Sequence, residues 1–302
     1  MASTSTTPAA AGVATRPVPV GPPPARVRVP AGGLRGEARA VKVVWQRELI
    51  RFSRDRLRIL TALVQPALFL FVLGGGLSRI ASSGTEGVDL RTFIFPGVLA
   101  MAVLFTAMFS AASIVWDREY GFLREMLVAP VRRSSIVLGK CLGGATVAGF
   151  QGLLVLALAP LVHVPYVAVM VLEVLALQLL LAFMITAFGV MAAARITQMQ
   201  AFMALMQMLM MPLLFLSGAL FPVNGLPGWL EVLNRLDPIT YAVDPIRRAV
   251  FDQLAISPAA RAQLVPGVTW WGWHVPVALE VAIVAVTAVA MLLIGIAEFR
   301  RA

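Results

Sequence analysis

Residues 92–116 read TFIFPGVLAMAVLFTAMFSAASIVW, twenty-five positions without a charge, and residues 117–140 follow as DREYGFLREMLVAPVRRSSIVLGK. About 20 apolar residues at 1.5 Å rise cross the roughly 30 Å hydrocarbon core of a bilayer. The first run is long enough to cross, whereas the second carries eight charged residues and is not. Outward from this pair the pattern repeats. Spans are predicted at 59–78, 92–116, 140–161, 166–194, 198–220 and 276–297. The third and fourth are joined around His163 and Pro165 as a helical hairpin. The predicted fold class is all-α, a polytopic membrane protein with six transmembrane helices and both termini on one side.

Composition agrees with that class. The 302 residues are 59% hydrophobic and 13% charged, with a mean hydropathy of +0.85, whereas a soluble domain is about 25% charged. A soluble two-domain enzyme is excluded, as is a wholly disordered chain. The single cysteine, Cys141, can form neither an intramolecular disulfide nor a multi-cysteine metal site, and reads as inert packing. The net charge of +10 is a matter of placement. Nineteen of the 25 Lys and Arg residues fall in 1–58, 117–140, Arg195 and the C-terminal tail, and six fall on the opposite side. The positive-inside rule then places both termini and the 117–140 loop in the cytoplasm. The excess of Arg over Lys, 23 to 2, fits a GC-rich bacterial genome and a bacterial inner membrane.

Residues 1–36 hold seven prolines, five glycines and no aromatic residue, and are expected to be a disordered cytoplasmic tail. They contain no apolar core of a signal peptide. In 37–58, Val41, Val44, Trp45, Leu49 and Phe52 make one apolar helical face, and Lys42, Arg47, Arg51, Arg54 and Arg58 occupy much of the rest. This predicts an interfacial helix on the anionic leaflet with Trp45 at headgroup depth. The external stretch 221–274 is too apolar for a solvated loop. Its segments 227–236 and 241–254 read as short helices, with Asp237-Pro238 and Asp244-Pro245 as breaks or caps, dipping into the outer mouth of the bundle.

No GxxxxGK[ST], HExxH or GxSxG occurs, and the only histidines are His163 and His274. The chain therefore carries no P-loop of its own, no metal site and no nucleophile elbow, and is not read as an enzyme.

Two stretches together resemble the type-2 ABC exporter permeases. Residues 210–247 run MMPLLFLSGALFPVNGLPGWLEVLNRLDPITYAVDPIR. They match the family pattern at Met210, Leu213, Leu216, Ser217, Ala219, Leu226, Pro227, Pro238, Ile239, Tyr241 and Arg247. The DREYGFLREMLVAPVRR loop, followed by Gly139-Lys140, is similar to that of daunorubicin-resistance-type permeases. The resemblance covers roughly residues 38–302. It implies a half-transporter: a second permease subunit, expected to be an identical chain, and separate cytosolic P-loop ATPase subunits. This chain would bind no cofactor, ATP and Mg being held by the partner. It further implies that 117–135 forms a coupling helix seated in a groove of the ATPase, with Arg118, Glu119, Gly121, Phe122, Arg124, Glu125, Pro130, Arg132 and Arg133 as contact residues. The helices of 221–256 would form the external gate, with Pro227, Pro238, Tyr241 and Arg247. The substrate implied is an amphipathic drug, antibiotic or lipid, with a polysaccharide or lipo-oligosaccharide as the alternative.

Further candidates come from the residues themselves. Glu173 and Glu280 lie inside spans, where an ionisable group is costly. Each is either a site for a cationic substrate group or proton, or an acid bonded to a neighbouring helix. With them a proton-coupled secondary transporter is the rival from another class. Met203, Met206 and Met210 share one stripe that either approaches a substrate cavity or packs as core, and Phe69, Phe93, Phe105 and Phe109 are further cavity candidates. Gly139 and Gly143 form a GxxxG pair, a close-packing motif or a chance spacing. Pro66 with Gly74-Gly75-Gly76 marks a kink or a helix stop. Trp270, Trp271 and Trp273 read as an aromatic belt.

Overall fold

The computed structural model describes residues 33–76, 89–121, 131–220 and 227–301. The coupling-loop residues Phe122, Arg124, Glu125 and Pro130, and nearly all of the N-terminal tail, lie outside them. Ten α-helices are present among the described residues. They are α1 (Leu34–Arg54), α2 (Arg56–Leu68), α3 (Leu90–Glu119), α4 (Arg133–Leu156), α5 (Ala168–Arg195), α6 (Met199–Leu216), α7 (Gly228–Leu236), α8 (Thr240–Phe251), α9 (Pro258–Leu264) and α10 (Val277–Arg301). Six helical segments are long and apolar enough to cross a membrane: Ile59–Gly76, Leu90–Glu119, Arg133–Leu156, Ala168–Arg195, Met199–Leu216 and Val277–Arg300. The chain is a multi-pass membrane protein.

Helix α3 is the axis of the bundle. It is apolar all round, and 89% of its most hydrophobic stretch is buried, against 17% for α2 and α10 and 22% for α6. A helix without a polar face is stable only when neighbours or lipid surround it. Here α4, α5, α6 and α8 all pack on α3. One apolar cluster joins α3, α4, α5, α6 and α10. A second gathers Leu70, Phe93, Phe95, Met170, Ile246 and Phe251 toward the end that carries α7 to α9.

The third span begins at Arg133, seven residues before the position expected from hydropathy. Lys140 thus lies two turns inside a helix, where a lone ammonium would be costly, and it is tolerated because two carboxylates meet it. Helix α1 also departs from expectation. It begins at Leu34, and its apolar face is seated on α4 rather than turned to lipid. Trp45 Nε1 donates to Thr146 Oγ1 at 3.0 Å, and Phe52 meets Phe150 edge-to-face at 6.1 Å. The GxxxG pair makes this seat. A Cβ at Gly139 would fall 2.8 Å from Val44 Cβ, and one at Gly143 would fall 2.7 Å from Glu48 Cβ.

In the first span Pro66 lies inside α2 and a π-helical turn follows at Phe69–Leu73. Gly74, Gly75 and Gly76 are themselves helical and are the last described residues of this span. The tryptophan belt is partly a hairpin of β1 (Thr269–Trp270) and β2 (Trp273–His274). Trp271 and Gly272 turn it with φ of 47° and 87°, the left-handed pair that a two-residue hairpin turn requires.

Gly143→Val drives a branched side chain into Glu48 and lifts α1 from α4. The expected loss is about 1–3 kcal/mol, read as a lower thermal midpoint of the purified chain. Gly36→Ala, where an added Cβ meets nothing within 4 Å, leaves it unchanged.

Candidate functional site

The residues flanking the 122–130 segment are tied into the bundle by charge. Lys140 Nζ donates to Glu48 Oε1 of α1 at 2.6 Å, to Asp117 Oδ2 of α3 at 2.5 Å and to Ser113 Oγ at 2.9 Å. Asp117 Oδ1 also accepts from Arg47 at 2.7 Å. Lys140, Glu48 and Asp117 are each 5% exposed or less. Buried ions hold only when paired and hydrogen-bonded, and here two cations face two carboxylates on three helices.

Arg118 points inward. Its Nη1 donates to the carbonyls of Ala193, Ala194 and Ile196 at 3.1–3.2 Å, closing the C-terminus of α5, where four carbonyls lack helical partners. Its guanidinium also lies 5.9 Å over Phe299 of α10. Arg133 donates to the Phe299 carbonyl at 2.6 Å, and Arg195 pairs with Glu298 at 2.7 Å. Arg132 lies 3.6 Å from Glu37, which also accepts from the Ser135 hydroxyl. Arg118 and Arg133, both expected as partner contacts, thus also make bonds within the chain. Glu119 and Tyr120 are exposed, and Gly121 reverses the chain at φ +82°.

The opposite end is also built on buried polar groups. Arg247 of α8 donates to the carbonyls of Gly218 and Ala219, which end α6, and lies 5.2 Å over the Phe93 ring. Gly97 of α3 lets the Ala219 carbonyl approach so closely that no Cβ fits. Tyr241 donates to the Arg235 carbonyl at 2.7 Å and accepts from Trp270 Nε1 at 2.8 Å. Asn234 of α7 donates to the Leu216 carbonyl. Pro227 caps α7 and is exposed; Pro238 sits half-buried in the turn before α8. Asp237 accepts from the Ile239 amide at 2.9 Å, and burial pushes its carboxyl up from 3.8 to about 7.

The cavity candidates do not share one surface. Phe93 is buried between Arg247 and Phe251, and Met206 and Met210 belong to the core of the subunit. Phe69, Phe105 and Met203 are half-buried against that core, and Phe109 is 39% exposed. Glu280 is fully buried and accepts from Arg248 at 3.1 Å, while Arg248 also pairs with Asp244 at 2.5 Å. Glu280 and Asp244 thus share one arginine, and Glu280 is an acid bonded to a neighbouring helix. Glu173 is exposed on α5. Among the described residues no three His, Cys, Asp or Glu side chains converge as metal ligands.

Sequence reasoning passed over Lys140, Glu48 and Asp117 as a unit. One signal was present: Glu48 stands on the apolar stripe of α1, four residues before Phe52 and four after Val44. An acid there demands a partner.

Comparison with known proteins gives a consistent picture. Residues 39–251 match the family described as ABC-2 type transporter. Nodulation protein J of Rhizobium leguminosarum bv. viciae is 27% identical over 231 residues, covering 74% of this chain and 85% of the relative. Inner membrane transport permease YadH of Escherichia coli strain K12 is 27% identical, covering 69% and 81%. "Probable multidrug ABC transporter permease YbhR" of the same organism is 30% identical over 159 residues, 52% of this chain and 43% of that one.

Lys140→Met leaves two buried carboxylates facing one another and is expected to cost about 3–5 kcal/mol, with partial recovery in Glu48→Gln/Lys140→Met. Thermal unfolding of the three proteins checks the order. The raised carboxyl of Asp237 predicts a pH effect of opposite sign to that of an ion-paired acid. Its contribution is full below the unfolded value of 3.8 and is lost as pH rises through about 7. Melting between pH 5 and pH 9 should therefore show wild type losing stability relative to Asp237→Asn across neutrality.

Proposed function

The chain belongs to the ABC-2 type transporter family, as a permease subunit without catalytic activity of its own, and on that premise we propose that it is the membrane half of an ATP-driven exporter. Its termini and the 117–135 loop face the cytoplasm, and the loop engages a separate ATPase subunit. A second permease, an identical chain, completes the transporter. The observation that carries this reading is how the loop is framed. Asp117 and Arg118 on one side, and Arg132, Arg133 and Lys140 on the other, bind α1, α5 and α10. A displacement applied to the segment between them is delivered through α3 and α4 to these three helices. Apolar Phe122, Leu123, Met126 and Leu127 supply anchors for a groove, and Arg124 and Glu125 set register.

Helices α7 and α8 act as the external gate. They bind the end of α6 through Asn234 and Arg247, so movement of α6 and movement of the gate are linked. The substrate is an amphipathic drug, antibiotic or lipid, in keeping with the loop's likeness to daunorubicin-resistance permeases. A polysaccharide or lipo-oligosaccharide is the second substrate class. The family match favours an ATP-driven transporter over the proton-coupled alternative.

The test is co-purification of the tagged chain with the products of its neighbouring genes, assayed for ATP hydrolysis, comparing wild type with Arg124→Glu/Glu125→Arg. Substituting Arg118 would disturb α5 as well and confuse the result. The expected outcome is a fall of about tenfold in ATPase recovery and in transport-coupled hydrolysis, with the melting point of the permease unchanged. An ATPase bound equally by both proteins sinks the coupling role, and vesicle transport driven by an ion gradient without ATP sinks the exporter reading.

A further inference from the structure

Between α1 and the end of α3 lies a pocket of about 410 Å³, lined by Arg47, Arg51, Arg54, Trp116, Asp117 and Tyr120. Its charge does not balance. Lys140 and Arg47 already satisfy Asp117 and Glu48, so Arg51 and Arg54 are surplus: four cations against two carboxylates. Arg51 Nη1 stands 4.0 Å from Asp117, beyond hydrogen-bond range, and its guanidinium is held 4.9 Å over the Trp116 ring. Cation–π contact of this kind orients the fork while leaving its N–H groups free to donate.

The surroundings fix the depth. Trp116 and Tyr120 close a membrane span, where amphipathic rings sit at the level of the headgroups. Tyr120 is 73% exposed, and Ile50, also on the pocket wall, is 51% exposed and apolar. The pocket therefore offers two guanidiniums to an oxyanion and an apolar lip beside them. Planar forks match phosphate and carboxylate oxygens bidentately, and phosphate is the anion that lipid headgroups present at this depth.

We propose that this pocket is a phosphate-binding site at the membrane surface. Its phosphate is presented by an anionic phospholipid headgroup whose chain runs past Ile50, or by a soluble phosphate reaching the same two arginines. The occupant neutralises the surplus charge beside Asp117, at the point where the loop leaves α3.

The full-length chain in nanodiscs separates the two sources. In one arm the discs hold a mixture of phosphatidylglycerol and phosphatidylcholine, and native mass spectrometry reads which lipid stays bound. In the other the discs hold phosphatidylcholine alone, and inorganic phosphate is titrated while the melting point is followed. Retention of phosphatidylglycerol by wild type, reduced about tenfold in Arg51→Ala/Arg54→Ala, supports the headgroup. Stabilisation by inorganic phosphate, absent in the double variant, supports the soluble source. Arg54→Gln alone, at an exposed position that cannot unfold the bundle, should weaken whichever effect is seen. Lys42→Gln, exposed on α1 but outside the pocket, should not. The proposal fails if neither phosphate source is bound, if the double variant binds as wild type does, or if Lys42→Gln weakens binding equally, since that marks general surface charge.

Discussion

An ammonium ion moved from water into a low-dielectric interior loses several kcal/mol of hydration, and only close opposite charge restores it. Lys140 makes that transfer in this chain, and the arrangement of α1, α3 and α4 follows from it. Glu48 and Asp117 must both lie within bonding distance of one nitrogen, which fixes the rotation of two helices about their axes and their height along α4. Gly139 and Gly143 then allow the backbones to come close enough for the short side chain of Glu48 to reach. The apolar stripe of α1 supplies contact area, but it would permit sliding along α4. The ions remove that freedom, which is the specificity role that buried charge performs best.

A related solution holds the other end. There the buried cation is Arg247, and its partners are the carbonyls of Gly218 and Ala219 in the turn just past the end of α6 at Leu216. The two ends differ in what they join. Around Lys140 three separate helices are gathered by side chains alone, whereas around Arg247 a side chain completes the backbone of another element. Arg118 does the same for the end of α5. Three buried or half-buried basic groups thus hold the outlines of the bundle, in a chain only 13% charged.

The spans were legible in the sequence because long apolar runs need no knowledge of neighbours. Their edges were less so. The start of α4 was hidden because Lys140 reads as a boundary to any argument from hydropathy, while its partners stand 23 and 92 positions away. For the same reason the amphipathic face of α1 was legible but its occupant was not. Periodicity shows that a face is buried, and lipid and α4 satisfy it equally. Arg118 and Arg133 read from the sequence only as loop cations, and only the fold shows the carbonyls they bond. Phe93 and the methionine stripe of α6 carried the same ambiguity. Apolar residues suit a ligand surface and a core alike, and Met206 and Met210 turn out to face inward.

The spacing of the charged triad also bears on how the chain is made. Glu48 leaves the ribosome 92 residues before Lys140, and at 5–20 residues per second that is an interval of about 5–20 s. By its end α1 and the second span have emerged, carrying Glu48 and Asp117 with no ammonium yet to receive them. The first amphipathic helix therefore cannot settle in its final register when it is synthesised; it waits, with Asp117, for the third span to arrive. Docking of the most N-terminal helix becomes one of the later events of assembly, and the arrival of a single lysine serves as the signal that three segments have all been inserted.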